Sequence, residues 1–262
     1  MTFAYGPHPF TIAFFIKATL ATVAGMFLLT GSLAMNDICD IDADKIAHPE
    51  RALASGKVTN IGHVTLGGLL FFLIAFIICF FINTVVLRLA IIESMICFVH
   101  YGFLKRNLKI PGSSIIISCL MFAMIPIFAY ATVENYSWKP ILLLFSIWYF
   151  ADISQDTAGA ISDEEGDREA GVINFPTYFG NKRAACIALF AFLLSVGFAA
   201  TLSFTERLGL FYLIPAIGSG GIILLNFLRL IHSPSKVNAE ICCRRGLLFV
   251  WIVGMSLFLE SL

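Results

Sequence analysis

Long apolar runs separated by polar loops dominate this chain. Eight of them approach the roughly 20 residues that a helix needs to cross a bilayer: 10–35, 63–82, 84–104, 112–133, 139–158, 183–204, 208–231 and 245–261. Backbone polar groups must be satisfied internally in lipid, so such runs are helices or closed-barrel strands. Barrel strands alternate polar and apolar positions over about 10 residues. These runs are longer and apolar throughout, which predicts helices. The expected fold is therefore an all-α, polytopic transmembrane bundle of eight spans. No Pro/Gly/Ser-rich linker divides it, so 1–262 reads as a single membrane-embedded domain. The N-terminus lacks a basic segment and a small-residue cleavage site, so the first run reads as a retained helix rather than a signal peptide.

Composition agrees with that pattern. The chain is 59% hydrophobic and 13% charged, with a mean hydropathy of +0.89. An average soluble domain carries about 25% charged residues, so a soluble fold is excluded. The 17 basic and 17 acidic residues balance to zero, which argues against a nucleic-acid partner. Placement of charge is more informative than its sum. Eight spans put the loops after helices one, three, five and seven on one face. Counted by the nearer end of each span, 13 of the 17 Lys and Arg fall on that face and three, Arg88, Lys139 and Arg207, on the opposite one. The positive-inside rule makes it cytoplasmic. Lys17 lies within the first span. The seven cysteines show no paired zinc spacing and read as small buried apolar residues.

Two polar loops on the cytoplasmic face are rich in aspartate. The first follows helix one and reads Asn36-Asp37-Ile38-Cys39-Asp40-Ile41-Asp42-Ala43-Asp44. Asp37, Asp40 and Asp44 recur at helical spacing, so a helix would align them in one stripe at the membrane mouth. The second cluster, Asp152, Asp156, Asp163 and Asp167, starts within helix five and also falls on one helical face. Ionisable residues inside a span are costly and usually face a wet cavity. Like charges at this spacing repel and call for a cation. Hard divalent ions take carboxylate oxygens, and Mg²⁺ commonly bridges carboxylates to phosphate. Two such stripes would hold a diphosphate between them and stabilise its departure. The first cluster lacks the glycine and glutamate of an EF-hand calcium loop. Arg51, and Tyr101 with Lys105 at the end of helix three, supply donors of the kind a diphosphate needs.

These segments resemble the UbiA superfamily of intramembrane prenyltransferases. Asn36-Asp37-x-x-Asp40-x-x-x-Asp44 resembles its NDxxDxxxD motif, and Arg51-Ala52-Leu53-Ala54-Ser55-Gly56 its RPxxSG. Tyr101-x-x-x-Lys105 resembles YxxxK. Asp163-Glu164-Glu165-Gly166-Asp167-Arg168-Glu169-Ala170-Gly171 resembles DxEGDRxxG, and Phe175 to Gly180 the LPxxxG segment. Asp44 to Arg51 is loosely like the tetrapyrrole and archaeal-lipid branches. The chain departs from the pattern in three ways. Eight spans stand against the family's nine, with the family's first helix the one lacking; Ala52 replaces a proline; Asn174 stands where Thr or Ser is common.

The resemblance implies a central cavity capped by the two cytoplasmic polar loops, a Mg²⁺ cofactor and a polyprenyl diphosphate donor. It assigns Asp37, Asp40, Asp44, Asp156, Asp163 and Asp167 to metal, and Asn36, Arg51, Tyr101 and Lys105 to the diphosphate. Asp37, Asp40, Asp163, Asp167 and Lys105 would be catalytic. The implied reaction is Mg-dependent prenyl transfer, by ionisation of the allylic diphosphate, to an aromatic or other lipophilic acceptor within the membrane. Two other readings share part of this pattern. A membrane terpene cyclase or diphosphate lyase would use the same ionisation. A non-catalytic prenyl-lipid-binding or transport protein would more often show broken mid-membrane helices, for which Gly218-Ser219-Gly220-Gly221 is the one candidate stretch.

Overall fold

The structure is a computed structural model that describes residues 12–47, 49–132 and 138–261. Among these residues the regular structure is helical: α1 (Ile12–Ala47), α2 (Ile61–Ile82), α3 (Thr84–Val99), a π-helical turn (His100–Leu104), α4 (Lys105–Asn107), α5 (Ser113–Ala131), α6 (Trp138–Ser162), α7 (Glu164–Glu169), α8 (Phe175–Phe179), α9 (Asn181–Glu206), α10 (Leu210–His232) and α11 (Lys236–Ser261). Six helical stretches are long and apolar enough to cross a membrane: Phe15–Asp42, Ile61–Ile82, Thr84–Leu104, Asn181–Glu206, Leu210–His232 and Lys236–Glu260. The runs read as the fourth and fifth spans are helical too, as α5 and α6. In α5 the apolar stretch is the shorter Ser113–Phe128. In α6 the apolar run carries Asp152, Gln155 and Asp156.

Two helices extend past their apolar runs. α1 continues through the first acidic segment to Ala47, so the three- and four-residue spacing of its aspartates does lie on a helix. α11 begins at Lys236 rather than near 245. Its first turns are charged and helix-compatible, and Asn238 N donates to Ser235 Oγ at the start (3.3 Å). Hydropathy cannot see a helix that runs on into water.

Small residues are prominent where the helices meet. Many buried positions hold small residues, among them Ala24, Ala75, Cys79, Ala90, Ala184 and Ala188 at 0% exposure, beside a few large ones such as Phe192 and Tyr212, while Phe80, Phe81, Phe204, Phe211 and Trp251 point outward. Lipid gives helices no hydrophobic reason to associate, so close backbone approach through small residues has to hold them together.

The described residues fall into two compact units. The first contains α1 to α4 and residues 127–132. Here α1 packs against α2, and α2 against α3. A Cβ at Gly31 of α1 would stand 2.9 Å from the Phe72 ring of α2, so glycine sets that approach. Asn83 joins α2 to α3. Its side chain accepts from Val86 N (2.8 Å) and donates to Ala131 O (2.9 Å). The second unit contains residues 110–126 and 138–261, in which α6 packs on α9 and α11, and α10 on α9 and α11. Its centre stacks Phe192 on Phe227 and sets Phe192 edge-on to Phe249. At its far end Glu260 accepts from Gly209 N (2.7 Å) and Tyr212 N (3.2 Å), capping the N-terminus of α10.

Candidate active site

The first unit gathers seven of the expected site residues. α1 presents Asn36, Asp37, Asp40 and Asp44 along its polar end. Lys105 reaches this stripe from the far side of the sequence, donating to Asn36 Oδ1 (3.0 Å) and Asp40 Oδ2 (2.6 Å). Both charged groups are about one-fifth exposed, so water screens the pair only partly. The π-helical turn positions this lysine. Lys105 N closes the turn on His100 O, and the Lys105 ammonium stands 5.4 Å over the centroid of the buried Tyr101 ring. That distance is within cation–π range. π-Turns inside helices occur often at functional sites. Cys39 Sγ donates to Tyr101 O (3.3 Å) and ties α1 to the same turn.

Arg51 closes the stripe from the other end. Its Nη1 donates to Oδ1 of the buried Asp44 at 2.7 Å. Burial by itself lowers the Arg51 pKa, but the bond to Asp44 and the charges of Asp44, Asp37 and Asp40 outweigh it and hold the pKa above its ordinary value. A compact turn presents the arginine: Ser55 N donates to Arg51 O (2.8 Å) and Val58 N to Ala52 O (3.0 Å). Gly56 sits at φ 75°, a left-handed conformation that favours glycine. Asp42 belongs to the same acidic run but not to the stripe. It is almost fully exposed and pairs with Lys45.

The second unit holds Asp156, Asp163 and Asp167. Asp163 follows α6 directly and is the N-cap residue of α7. Its Oδ1 accepts from Ser162 Oγ (3.0 Å). Asp167, in α7, accepts from Asn174 Nδ2 (2.6 Å). Asn174 also forms a capping box with Thr177 at the start of α8. One amide thus orders a carboxylate and starts a helix, a role its substitution for Thr or Ser did not announce. Asp156 lies seven residues before Asp163, about 10 Å along the helix axis at 1.5 Å per residue. It accepts from Ser118 Oγ of α5 (3.4 Å) and lies 3.8 Å from Cys119 Sγ. Sequence spacing could not reveal the company of α5.

The donors on α1 are carboxylate and amide oxygens on one helical stripe. That chemistry fits Mg²⁺, which prefers oxygen ligands and commonly bridges one or two carboxylates to phosphate. Lys105 and Arg51 already stand against the same oxygens, where a diphosphate could also draw them.

An all-helical membrane protein with carboxylate stripes at helix ends, met by lysine, arginine and tyrosine, has the parts of an enzyme that handles a diphosphate in the membrane. The chain belongs to the UbiA prenyltransferase family, whose model matches residues 1–253. It is a prenyltransferase. A digeranylgeranylglyceryl phosphate synthase of Methanococcus aeolicus is 30% identical over 238 residues, covering 90% of this chain and 82% of that protein. A ligand-free UbiA homologue from Aeropyrum pernix K1 superposes with a TM-score of 0.78 at 20% identity, covering 97% of this chain and 92% of that one. A UbiA homologue from Archaeoglobus fulgidus, solved with GPP and Mg²⁺, gives a TM-score of 0.62 at 16% identity, covering 94% and 88%.

Proposed function

We propose that this prenyltransferase moves the prenyl group of a polyprenyl diphosphate onto a lipophilic acceptor in the membrane, and that the acceptor is a glycerol-phosphate lipid. The observation that carries the donor half is Lys105 bridging Asn36 and Asp40 beside the Arg51–Asp44 pair. The stripe holds cations where a metal and a diphosphate would sit. The acceptor half rests on likeness to the Methanococcus aeolicus synthase.

Asn36, Asp37, Asp40 and Asp44 take one metal-facing set of donors, and Asp163 with Asp167 the other. Asp156, about 10 Å away along α6, serves a separate cation. Bound Mg²⁺ would neutralise charge that builds on the departing diphosphate. Lys105 and Arg51 turn from their carboxylates to the diphosphate oxygens, with the Tyr101 hydroxyl as a further donor. The allylic C–O bond breaks and its electron pair leaves with the diphosphate. The acceptor hydroxyl oxygen attacks the allylic carbon, forms the new C–O bond and gives up its proton. An apolar surround keeps water from that carbon. The excess of Lys and Arg on the face of the acidic loops supports a cytoplasmic position for them.

The test is turnover by the purified protein in detergent with geranylgeranyl diphosphate and Mg²⁺, followed by mass spectrometry with a glycerol-phosphate ether lipid or an aromatic acid as acceptor. A lipid ether that disappears in both Asp40→Ala and Asp163→Ala is the expected result. An adduct only with the aromatic acid overturns the acceptor. Diphosphate release giving a free terpene or alcohol and no adduct replaces transfer by a cyclase or lyase reaction.

A further inference from the structure

Within the second unit, Cys119 of α5 and Asp152 and Asp156 of α6 each bring one donor atom to within 4.8 Å of the others. No motif of the family reading includes Cys119 or Asp152. Oδ2 of Asp152 is buried and takes no hydrogen bond from an N–H or O–H among the described residues. The Cys119 thiol is beside it. A buried carboxylate oxygen left in that state is costly. Asp152 and Asp156 are also one helical turn apart, where two ionised carboxylates repel.

We propose that Cys119, Asp152 and Asp156 form a third cation site, separate from the diphosphate-facing carboxylates and selective for a zinc-class ion over Mg²⁺. The donor chemistry decides the class. A thiolate is a soft ligand that Mg²⁺ does not favour, while Zn²⁺ and Cd²⁺ accept thiolate and carboxylate together. The geometry agrees. Zinc–sulfur and zinc–oxygen distances of about 2.3 and 2.0 Å at a tetrahedral angle put sulfur and oxygen about 3.5 Å apart. Cys119 Sγ and Asp156 Oδ2 are 3.8 Å apart, so closing on an ion needs only a few tenths of an ångström there. Binding converts the Cys119 thiol to a thiolate and releases one proton to the buffer. Three protein ligands leave the fourth position to water or to an oxygen of a bound substrate.

The experiment is a Cd²⁺ titration of the full chain in detergent with Mg²⁺ in excess, read by the ultraviolet cadmium–thiolate charge-transfer band and by proton release. The expected band saturates at about one ion per chain, is bleached by Zn²⁺ and is unchanged by more Mg²⁺. Cys119→Ser abolishes it. Asp152→Asn, which keeps shape and removes the buried charge, weakens binding by at least about tenfold. Asp163→Asn and Cys186→Ser leave it in place. No saturating band overturns the site. So does a band that survives Cys119→Ser, or one lost with Asp163→Asn, which would assign the ion to the diphosphate-facing set. Because the readout is binding, failure of prenyl transfer and failure of this site are separable.

Discussion

The two aspartate motifs look alike in sequence and are built differently. In the first, the carboxylates of α1 are met by cations from elsewhere in the chain. Lys105 lies 65 residues from Asp40, and Arg51 comes from the loop beyond α1. In the second, Asp163 and Asp167 take hydrogen bonds from near neighbours, Ser162 and Asn174. The first motif is thus assembled by tertiary structure and by charge, and the second by the turn chemistry that surrounds it. Damage to the first should spread through electrostatics. Damage to the second should stay local.

The sharpest test is Lys105→Met. It keeps the length of the side chain and removes the charge shared by Asn36 and Asp40. Loss of one preorganised donor to developing negative charge costs about 100- to 1,000-fold in turnover, and that is the expected fall in kcat. An unchanged kcat would detach the lysine from the chemistry and leave it as a structural counter-ion of α1. Next in size is Arg51→Ala, which strands the buried Asp44. Breaking a fully buried pair costs about 3–5 kcal/mol. The Arg51 side chain is 43% exposed, so screening reduces the expected loss to about 1–2 kcal/mol. Thermal unfolding would measure it.

The pH dependence of that second loss has a definite sign. The pKa of Arg51 is raised in the folded state, so its contribution is fully present below the ordinary arginine value and is lost only as pH rises through the higher folded value. The stability gap between wild type and Arg51→Ala should therefore stay constant from neutral to mildly alkaline pH. A gap that closes within that window would mean that some group other than Arg51 supports Asp44.

On the second motif, Asn174→Ala removes both the amide on Asp167 and the cap of α8. Losing an N-cap costs about 1 kcal/mol. Activity should fall less than in Lys105→Met, and Asn174→Ser should restore the stability while leaving Asp167 without its amide. A kcat loss equal to that of Lys105→Met would erase the contrast between the motifs, because it would make a local hydrogen bond as consequential as a long-range charge.

How much of this was readable in advance follows the same division. The helices were legible because lipid forces long apolar runs into helices, although among the described residues six of the eight runs, not all, are long and apolar enough to cross a membrane. The helical stripe on α1 was legible because three- and four-residue spacing has one simple geometric meaning. Arg51, Tyr101 and Lys105 stood out because their residue types suit a diphosphate and they stand in ordered motifs. The π-turn that sets Lys105 over Tyr101 was not legible, since His100 to Leu104 carries no local signal for a wider turn. Nor were the partners of Asp156. Cys119 read as one more apolar cysteine because its meaning depends on α6 lying beside it. The early start of α11 escaped for a different reason: charged residues continue a helix as readily as apolar ones, and hydropathy records only the part that meets lipid.

The smallest expected effect is also the most discriminating control. Asp42 lies two residues from Asp40 in the same acidic run, and composition alone would rank the two together. On a helix, two residues turn through about 200°, so their side chains leave on nearly opposite faces. The structure agrees: Asp40 is about one-fifth exposed and holds Lys105, while Asp42 is 96% exposed and pairs with Lys45, three residues on. Exposed pairs of this kind contribute little to stability. Asp42→Asn should therefore leave both the melting temperature and kcat within error of wild type, whereas Asp40→Asn should abolish turnover. If the two variants were equally impaired, the acidity of the segment as a whole would be what matters, and the stripe on α1 would lose its meaning as a site.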